Sequence, residues 1–183
     1  NQWVDTEYGR FYAQSNSVLA TGDVVVDGVR YLFGTEGSSP KEGLGKLLGK
    51  CFIVNFVNGD DIIRKAVVEN GTVSAIDDPL AESNSIKTVT FDGWYCKDVK
   101  FTPELVITQD MTFEAKFDVV YTQSFLDLKN GVDALKAAYG GSMETQINLL
   151  NVIYDALNNL SETELSDAKA EGVDLSLYFE VTE

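Results

Sequence analysis

The sequence predicts an α+β chain built from several modules in line. Short alternating strands with tight-turn signals fill the first part of the chain, and longer aromatic strands follow. In the last third, the apolar spacing changes to a helical period. We therefore divide the chain into β-hairpins at 1–43, a linker at 44–50, a small sheet module at 51–121 and a helical module at 122–183.

The hairpin prediction rests on Asp27-Gly28, which stands between two apolar runs. Asp-Gly favours the positive backbone angles that a two-residue hairpin turn requires. Upstream, Gly9-Arg-Phe-Tyr12 echoes Gly28-Val-Arg-Tyr31, and an internal repeat of this kind favours stacked hairpins. The glycines and serines between Ser38 and Gly49 then predict a flexible linker.

The sheet module is predicted from four strand-like runs separated by turn residues. These runs are Cys51–Phe56, Ile62–Val68, Thr88–Tyr95 and Met111–Phe117. Asn58-Gly59 and Asn70-Gly71 supply two of the turns. A short module must fill its core with large rings, so Trp94 is predicted to be a core residue rather than a platform for a ligand. Gly93 is expected to allow a close approach at this strand.

The helical module is predicted from apolar residues that recur every three or four positions. The first stripe is Phe125, Leu128, Val132, Leu135 and Tyr139, and the second is Met143, Ile147, Leu150, Tyr154 and Leu157. Ser142 can cap the second helix, and Ser161-Glu-Thr-Glu164 is a capping box for a third. The stripes are expected to be core, with a binding groove as the alternative. A short apolar tail, Leu175–Val181, follows.

Composition excludes several classes of function. The chain carries 29 acidic and 14 basic residues and no histidine. Its negative charge repels nucleic-acid phosphates and anionic lipids, and no apolar run reaches the ~20 residues of a membrane-spanning helix. We therefore expect no nucleic-acid partner, no membrane insertion, and neither a metal nor another cofactor. Cys51 and Cys96 can form a disulfide in a secreted protein, or each can be a small buried apolar residue.

The residues that catalysis needs are not grouped in any recognisable pattern. The adjacent acidic pairs, Asp60-Asp61 and Asp77-Asp78, fall at predicted turns, where aspartate is favoured for backbone reasons. Cys96 has no histidine that could activate it as a nucleophile. We therefore expect no enzymatic activity in this chain and no catalytic residues.

Three short motifs mark the hairpin segment. They are Gly9-Arg-Phe-Tyr12, Ala20-Thr-Gly22 and Val26-Asp-Gly-Val-Arg-Tyr-Leu-Phe33. Together they resemble the cell-wall- and glucan-binding hairpin repeats of secreted Gram-positive proteins. Because aromatic rings stack on sugar faces or on a quaternary ammonium group, the candidate ligand-binding residues are Trp3, Phe11, Tyr12, Tyr31 and Phe33. The alternative is that these rings merely pack adjacent hairpins together.

The sheet module carries a second ordered set of motifs. They are Gly71-Thr-Val73, Pro79, Phe91-Asp-Gly-Trp-Tyr95 and a run from Phe101 to Phe117 that includes Asp110-Met-Thr. This order resembles the Listeria–Bacteroides repeat, also called the internalin B-repeat, which has a small β-grasp-like fold. The resemblance implies no catalytic residues, because such repeats serve as stalks and some contact host or surface molecules.

The two resemblances together imply a non-catalytic fragment of a longer, secreted Gram-positive cell-surface protein. We expect it to lie outside the cell and to act as an adhesion or spacer region. A cell-wall polymer or surface glycan is the candidate ligand, and a host protein is a further candidate partner. The alternative is an accessory targeting region of a secreted wall hydrolase or glycosidase.

Overall fold

The computed structural model describes residues 1–15 and 17–175, which form two compact units. The sheet unit consists of Asn1–Pro79 and Asp92–Lys116, and the helical unit consists of Leu80–Phe91 and the residues from Phe117 onward. The fold is α+β, as the sequence predicts. The predicted apolar tail lies outside the described residues, apart from Leu175.

Two β-hairpins open the sheet unit. Strands β1 (Gln2–Thr6) and β2 (Gly9–Ala13) form the first, and β3 (Gly22–Val26) and β4 (Val29–Phe33) form the second. Asp27 and Gly28 have φ angles of 50° and 80°, so the predicted Asp-Gly turn is confirmed.

The strand β5 (Leu47–Asn58) is longer than the sequence predicts. Tyr31, Leu32 and Phe33 of β4 pair with Lys50, Gly49 and Leu47. Residues 47–50 of the predicted linker are therefore strand residues, joined to the second hairpin by backbone hydrogen bonds. Gly49 conceals this extension in the sequence, because glycine is depleted in strands.

Four further strands complete the sheets: β6 (Asp61–Val68), β7 (Lys87–Cys96), β8 (Val99–Lys100) and β9 (Met111–Tyr121). The hydrogen-bonded order is β3-β4-β5-β9-β7-β8, and β6 pairs with β5. The β5–β6 pair is antiparallel, whereas β5 and β9 run parallel with Phe56 opposite Phe113. Because strands alternate, Val54 and Phe56 face the core of the sheet unit, and Asn55 faces the other side.

Large rings form the centre of the sheet unit. Phe56 is fully buried, and its ring centroid lies 4.8 Å from that of Phe101, 5.3 Å from that of Phe113 and 5.4 Å from that of Trp94. Trp94 is buried, which confirms that it is a core residue. Gly93 has a φ of 155°, and a Cβ there would lie only 2.5 Å from Cε of Lys100, so the predicted close approach is present.

The helical unit contains α1 (Gln123–Ala137), α2 (Met143–Asn158) and α3 (Glu162–Ala170), which confirms the three predicted helices. Ser142 accepts a hydrogen bond from the N–H of Thr145, and Ser161 and Glu164 form the predicted capping box. Ile86 is fully buried in the core of this unit, and its carbonyl accepts a hydrogen bond from the N–H of Thr122. Residues 80–91 therefore belong with the helices rather than with the predicted sheet module.

The predicted inward stripe of α1 is confirmed over the helix itself. Its buried members are Phe125, Leu128, Val132 and Leu135. The prediction is wrong for Tyr139, the last residue of the stripe, because this residue lies past the helix end at Ala137 and is 90% exposed.

The predicted inward stripe of α2 is wrong at three of its five positions, whereas Leu150 and Leu157 are partly buried against the core of the helical unit. Its exposed members are Met143, Ile147 and Tyr154, and the buried residues are Ile153 and Ala156. Apolar residues surround much of this helix, so their spacing allows more than one inward face. The face of Ile153 turns inward because Gly131 of α1 lies opposite it, with only 3.0 Å between a Cβ built on Gly131 and Cγ1 of Ile153.

Candidate functional site

Three aromatic side chains from different strands form a partly exposed cluster in the sheet unit. Trp3 on β1, Tyr12 on β2 and Tyr31 on β4 are each half-buried. The Trp3 ring centroid lies 5.1 Å from that of Tyr12 and 5.2 Å from that of Tyr31, with interplanar angles of 63° and 80°. We call these three residues the aromatic patch. They are three of the five candidate ligand-binding residues.

The other two candidates, Phe11 and Phe33, are buried. Phe33 lies 6.0 Å from Trp3, measured between ring centroids, so it supports the patch from within. Phe11 neighbours Tyr12 on β2, and alternation along a strand directs the two side chains to opposite faces. Both phenylalanines therefore pack in the interior, and the three candidates that reach the surface are the rings of the aromatic patch.

A cation already lies against the aromatic patch. The guanidinium carbon of Arg10 is 4.7 Å from the centroid of the Trp3 ring, within the range of a cation–π interaction. Arg10 also pairs with Asp5 at 3.6 Å between Nε and Oδ1, and both side chains are exposed. The guanidinium of Arg10 thus covers one face of the Trp3 ring. This planar group adds N–H donors at the edge of the aromatic patch.

An ion cluster that no sequence pattern indicates lies on the same unit. Asp23 on β3 accepts hydrogen bonds from Nη1 and Nη2 of Arg64 on β6, at 2.8 and 2.6 Å, and from Nη1 of Arg30 on β4 at 2.8 Å. Arg64, with Arg30 beside it, lowers the pKa of Asp23 to about 2, because these donors stabilise the ionised carboxylate. Asp23 and Arg64 are 41 positions apart, and no local pattern links them.

The remaining candidates for chemistry are isolated. Asp60, Asp61, Asp77 and Asp78 are all exposed, as expected for turn and loop residues. Cys51 and Cys96 are free thiols, so the structure holds no disulfide between them. Burial raises the pKa of the Cys51 thiol and so disfavours the reactive thiolate. Within the described ranges, histidine, cysteine and carboxylate side chains form no group of three or more that could hold a metal ion.

No family model matches the sequence of this chain, and no curated protein matches it. In the part of the chain that the structure describes, no helix is both long and apolar enough to cross a membrane.

Proposed function

We propose that this chain is a non-catalytic segment of a secreted Gram-positive cell-surface protein, in which it serves adhesion or spacing. On this proposal, the aromatic patch binds a cell-wall polymer or a surface glycan. The observation that carries the proposal is the convergence of Trp3, Tyr12 and Tyr31 from three strands into one partly exposed cluster.

The chemistry of the patch suits a saccharide. A sugar ring offers an apolar face of C–H groups that stacks on aromatic rings, and hydroxyl groups that need hydrogen-bond partners. The tyrosine hydroxyls of Tyr12 and Tyr31 can donate and accept, and the guanidinium of Arg10 adds further donors beside Trp3. Because Phe33 packs beneath Trp3, the indole is held in place before a ligand arrives, which lowers the entropic cost of binding.

The module organisation is part of the same proposal. We assign residues 1–43 to hairpins of the wall-binding type, residues 51–79 and 92–116 to a β-grasp-like repeat, and residues 80–91 together with those from 117 onward to a helical module. The two hairpins with Asp27-Gly28 at a turn support the first assignment, and the parallel pairing of β5 with β9 beside the antiparallel β5–β6 pair supports the second. The three capped helices support the third.

The test is binding to immobilised glycans and to purified Gram-positive peptidoglycan. The wild-type chain is compared with the double variant Tyr12→Ala/Tyr31→Ala, and Tyr154→Ala, an exposed tyrosine on α2, is the matched control. We expect the double variant to lose binding by about tenfold or more and the control to bind like the wild type.

Folding is monitored separately, so that a loss of binding can be interpreted. Near-UV circular dichroism and the thermal unfolding midpoint should show that the double variant keeps its structure. Wild-type binding by the folded double variant would exclude the aromatic patch as the site. A lack of glycan or wall binding by the wild type would remove the proposed ligand class.

A further inference from the structure

One edge of the sheet unit is left unpaired along β6. This strand pairs antiparallel with β5 without a bulge, and among the described strands β5 is its only partner. Every residue from 61 to 65 is exposed, and we call this segment the open edge. Natural sheets protect such an edge with prolines, bulges, charged side chains or a covering loop, because it can pair with another strand. The open edge has only the charges of Asp61, Arg64 and Lys65.

The backbone groups of the open edge that face outward belong to Ile62 and Arg64. At the far end of the hairpin, the N–H of Glu69 donates to the carbonyl of Lys50. Because hydrogen-bonded and non-hydrogen-bonded pairs alternate along an antiparallel ladder, the odd-numbered residues of β6 bond to β5. The N–H and C=O groups of Ile62 and Arg64 therefore point away from β5, and no described residue forms a hydrogen bond with them.

A second copy of the open edge matches these outward groups. Two antiparallel edges form hydrogen bonds only where an even-numbered residue of one faces an even-numbered residue of the other. This condition is met when Ile62 of each copy faces Arg64 of the other, with the twofold axis at Ile63. The whole open edge of both copies is then paired, and about four backbone hydrogen bonds join them.

The side chains of the open edge are complementary in the same register. Asp61 of each copy lies opposite Lys65 of the other, so two pairs of opposite charge flank a central pair of residues at Ile63. Opposite charges and apolar side chains that face each other directly across a sheet stabilise the pairing. The charges that protect the edge from other strands thus attract a second copy.

Other registers that satisfy the backbone are less favourable. With the axis at Arg64 or at Lys65, that residue faces its own copy, and like charges directly opposite each other are destabilising. With the axis at Ile62, only residues 61–63 of the open edge are paired. The sequence of the open edge therefore selects the axis at Ile63.

Apolar surface and the local charge balance also favour a second copy. Ile62 and Ile63 are 64% and 40% exposed on opposite faces of the sheet, and pairing removes part of each from water. The net charge of -15 opposes association in general, but residues 60–65 hold two acidic and two basic side chains. Asp23, which accepts hydrogen bonds from Arg64, is balanced by Arg30. The open edge thus has little part in the general repulsion.

From this arrangement we propose that two copies of the chain join antiparallel along their open edges, with the twofold axis at Ile63. The β5–β6 hairpins of the two copies then form one continuous sheet. Because each copy uses its open edge once, the assembly closes as a dimer. The open edge includes no residue of the aromatic patch, and the dimer does not depend on the proposed glycan binding.

The test is sedimentation velocity of the whole chain from about 10 µM to about 1 mM. A reducing agent prevents the free thiols of Cys51 and Cys96 from linking two chains. The wild type is compared with Asp61→Lys and with Lys65→Asp. The matched controls are Asp98→Lys and Lys97→Asp, which change the net charge equally at the exposed turn between β7 and β8.

We expect the wild type to dimerise with a dissociation constant between about 10 and 500 µM, because the paired segment is short. Asp61→Lys and Lys65→Asp should each weaken the dimer by about tenfold or more, since each places like charges opposite each other at both ends of the open edge. An equimolar mixture of these two variants should regain the wild-type association, because every lysine then faces an aspartate. The controls should behave like the wild type.

Recovery in the mixture also shows that both charge variants are folded, and cross-linking then tests the register. Ile63→Cys is compared with Ile62→Cys, each in a Cys51→Ala/Cys96→Ala background. In the proposed register, the Cα atoms of the two residues at 63 lie about 4.5 Å apart, which a disulfide can span. Those at 62 are diagonal neighbours about 7–8 Å apart, beyond that range. Oxidation should therefore link Ile63→Cys chains several times faster.

Three outcomes would overturn the proposal. The first is a wild-type chain that stays monomeric at about 1 mM, which would leave the open edge to a strand of another protein. The second is a mixture of Asp61→Lys and Lys65→Asp that associates no better than either variant alone. The third is equal cross-linking at positions 62 and 63.

Discussion

The sheet unit and the helical unit fill their interiors with different side chains. In the sheet unit, the buried rings of Phe56 and Phe113 stack at 5.3 Å between centroids, with Trp94 and Phe101 at their edges. The helical unit relies mainly on aliphatic and small residues. Its buried members include Leu128, Val132, Ile153, Ala156 and Ala168.

The difference follows from the geometry of the two kinds of element. A strand directs only alternate side chains inward, so a small sheet must obtain its core volume from a few large rings. Two helices pack against each other along a whole stripe of side chains on each helix. Gly131 brings the backbone of α1 close to Ile153 of α2. Stability in the sheet unit is thus concentrated in single residues, whereas in the helical unit it is distributed over many small contacts.

The largest expected effect tests whether the stability of the sheet unit depends on single residues. We expect Phe56→Ala to lower the free energy of unfolding of the sheet unit by about 3–5 kcal/mol, because it removes a fully buried ring and leaves a cavity. The measurement is urea unfolding followed by the fluorescence of Trp94 in a Trp3→Phe background. Leu128→Ala, monitored by helical circular dichroism, is the counterpart in the helical unit and should cost about 2–4 kcal/mol.

A loss of less than about 1.5 kcal/mol for Phe56→Ala would contradict the comparison, since it would show that the neighbouring rings can collapse into the space. A larger loss for Leu128→Ala than for Phe56→Ala would reverse it. Because the chain has two units, each transition must be assigned to its own probe before the values are compared.

An intermediate effect is expected where the two helices come closest. Gly131→Leu should destabilise the helical unit by about 1–3 kcal/mol, because the added side chain overlaps Ile153 and this overpacking outweighs the better helix propensity of leucine. Asn130→Leu, at the neighbouring exposed position of α1, is the control and should be neutral or slightly stabilising. Both are compared by urea unfolding, and equal stability of the two variants would show that α1 and α2 tolerate a wider separation.

The smallest expected effect concerns the ion cluster of the sheet unit. Asp23→Asn should cost about 1 kcal/mol at neutral pH, because both arginine partners are partly exposed to solvent. The pKa of Asp23 is lowered to about 2 in the folded chain, against about 3.9 when unfolded. The contribution of Asp23 is therefore fully present above about pH 4 and is lost as the pH falls through about 2.

The measurement is urea unfolding of the wild type and Asp23→Asn at a series of pH values. The stability difference between them should be constant above about pH 4 and should shrink towards zero near pH 2. A difference that stays constant down to pH 2 would show that the carboxylate contributes through packing rather than through charge.

The local parts of the fold could be predicted from the sequence. The turn at Asp27-Gly28, the caps at Ser142 and Ser161 and the burial of Trp94 follow from residue types and their nearest neighbours. Such features are decided within a few residues, where backbone preferences and alternation dominate.

Features that depend on distant partners could not be predicted. The choice between the Ile147 face and the Ile153 face of α2 is made by Gly131 on another helix. The start of β5 at Leu47 depends on pairing with Phe33 of β4. Among the five candidate ligand-binding residues, Phe11 and Phe33 are buried, whereas the three residues of the aromatic patch are partly exposed. The spacing of aromatic residues in the sequence does not predict which of them are buried.

The parallel pairing of β5 with β9 bears on how the sheet unit would respond to mechanical load. Val54, Asn55, Phe56 and Val57 pair in register with the four residues from Met111 to Glu114. Because the two strands run in the same direction, tension on the chain before β5 and after β9 pulls them past each other lengthwise. All the hydrogen bonds between the two strands are then loaded together in shear rather than opened one at a time. The β5–β9 pair therefore resists a pulling force.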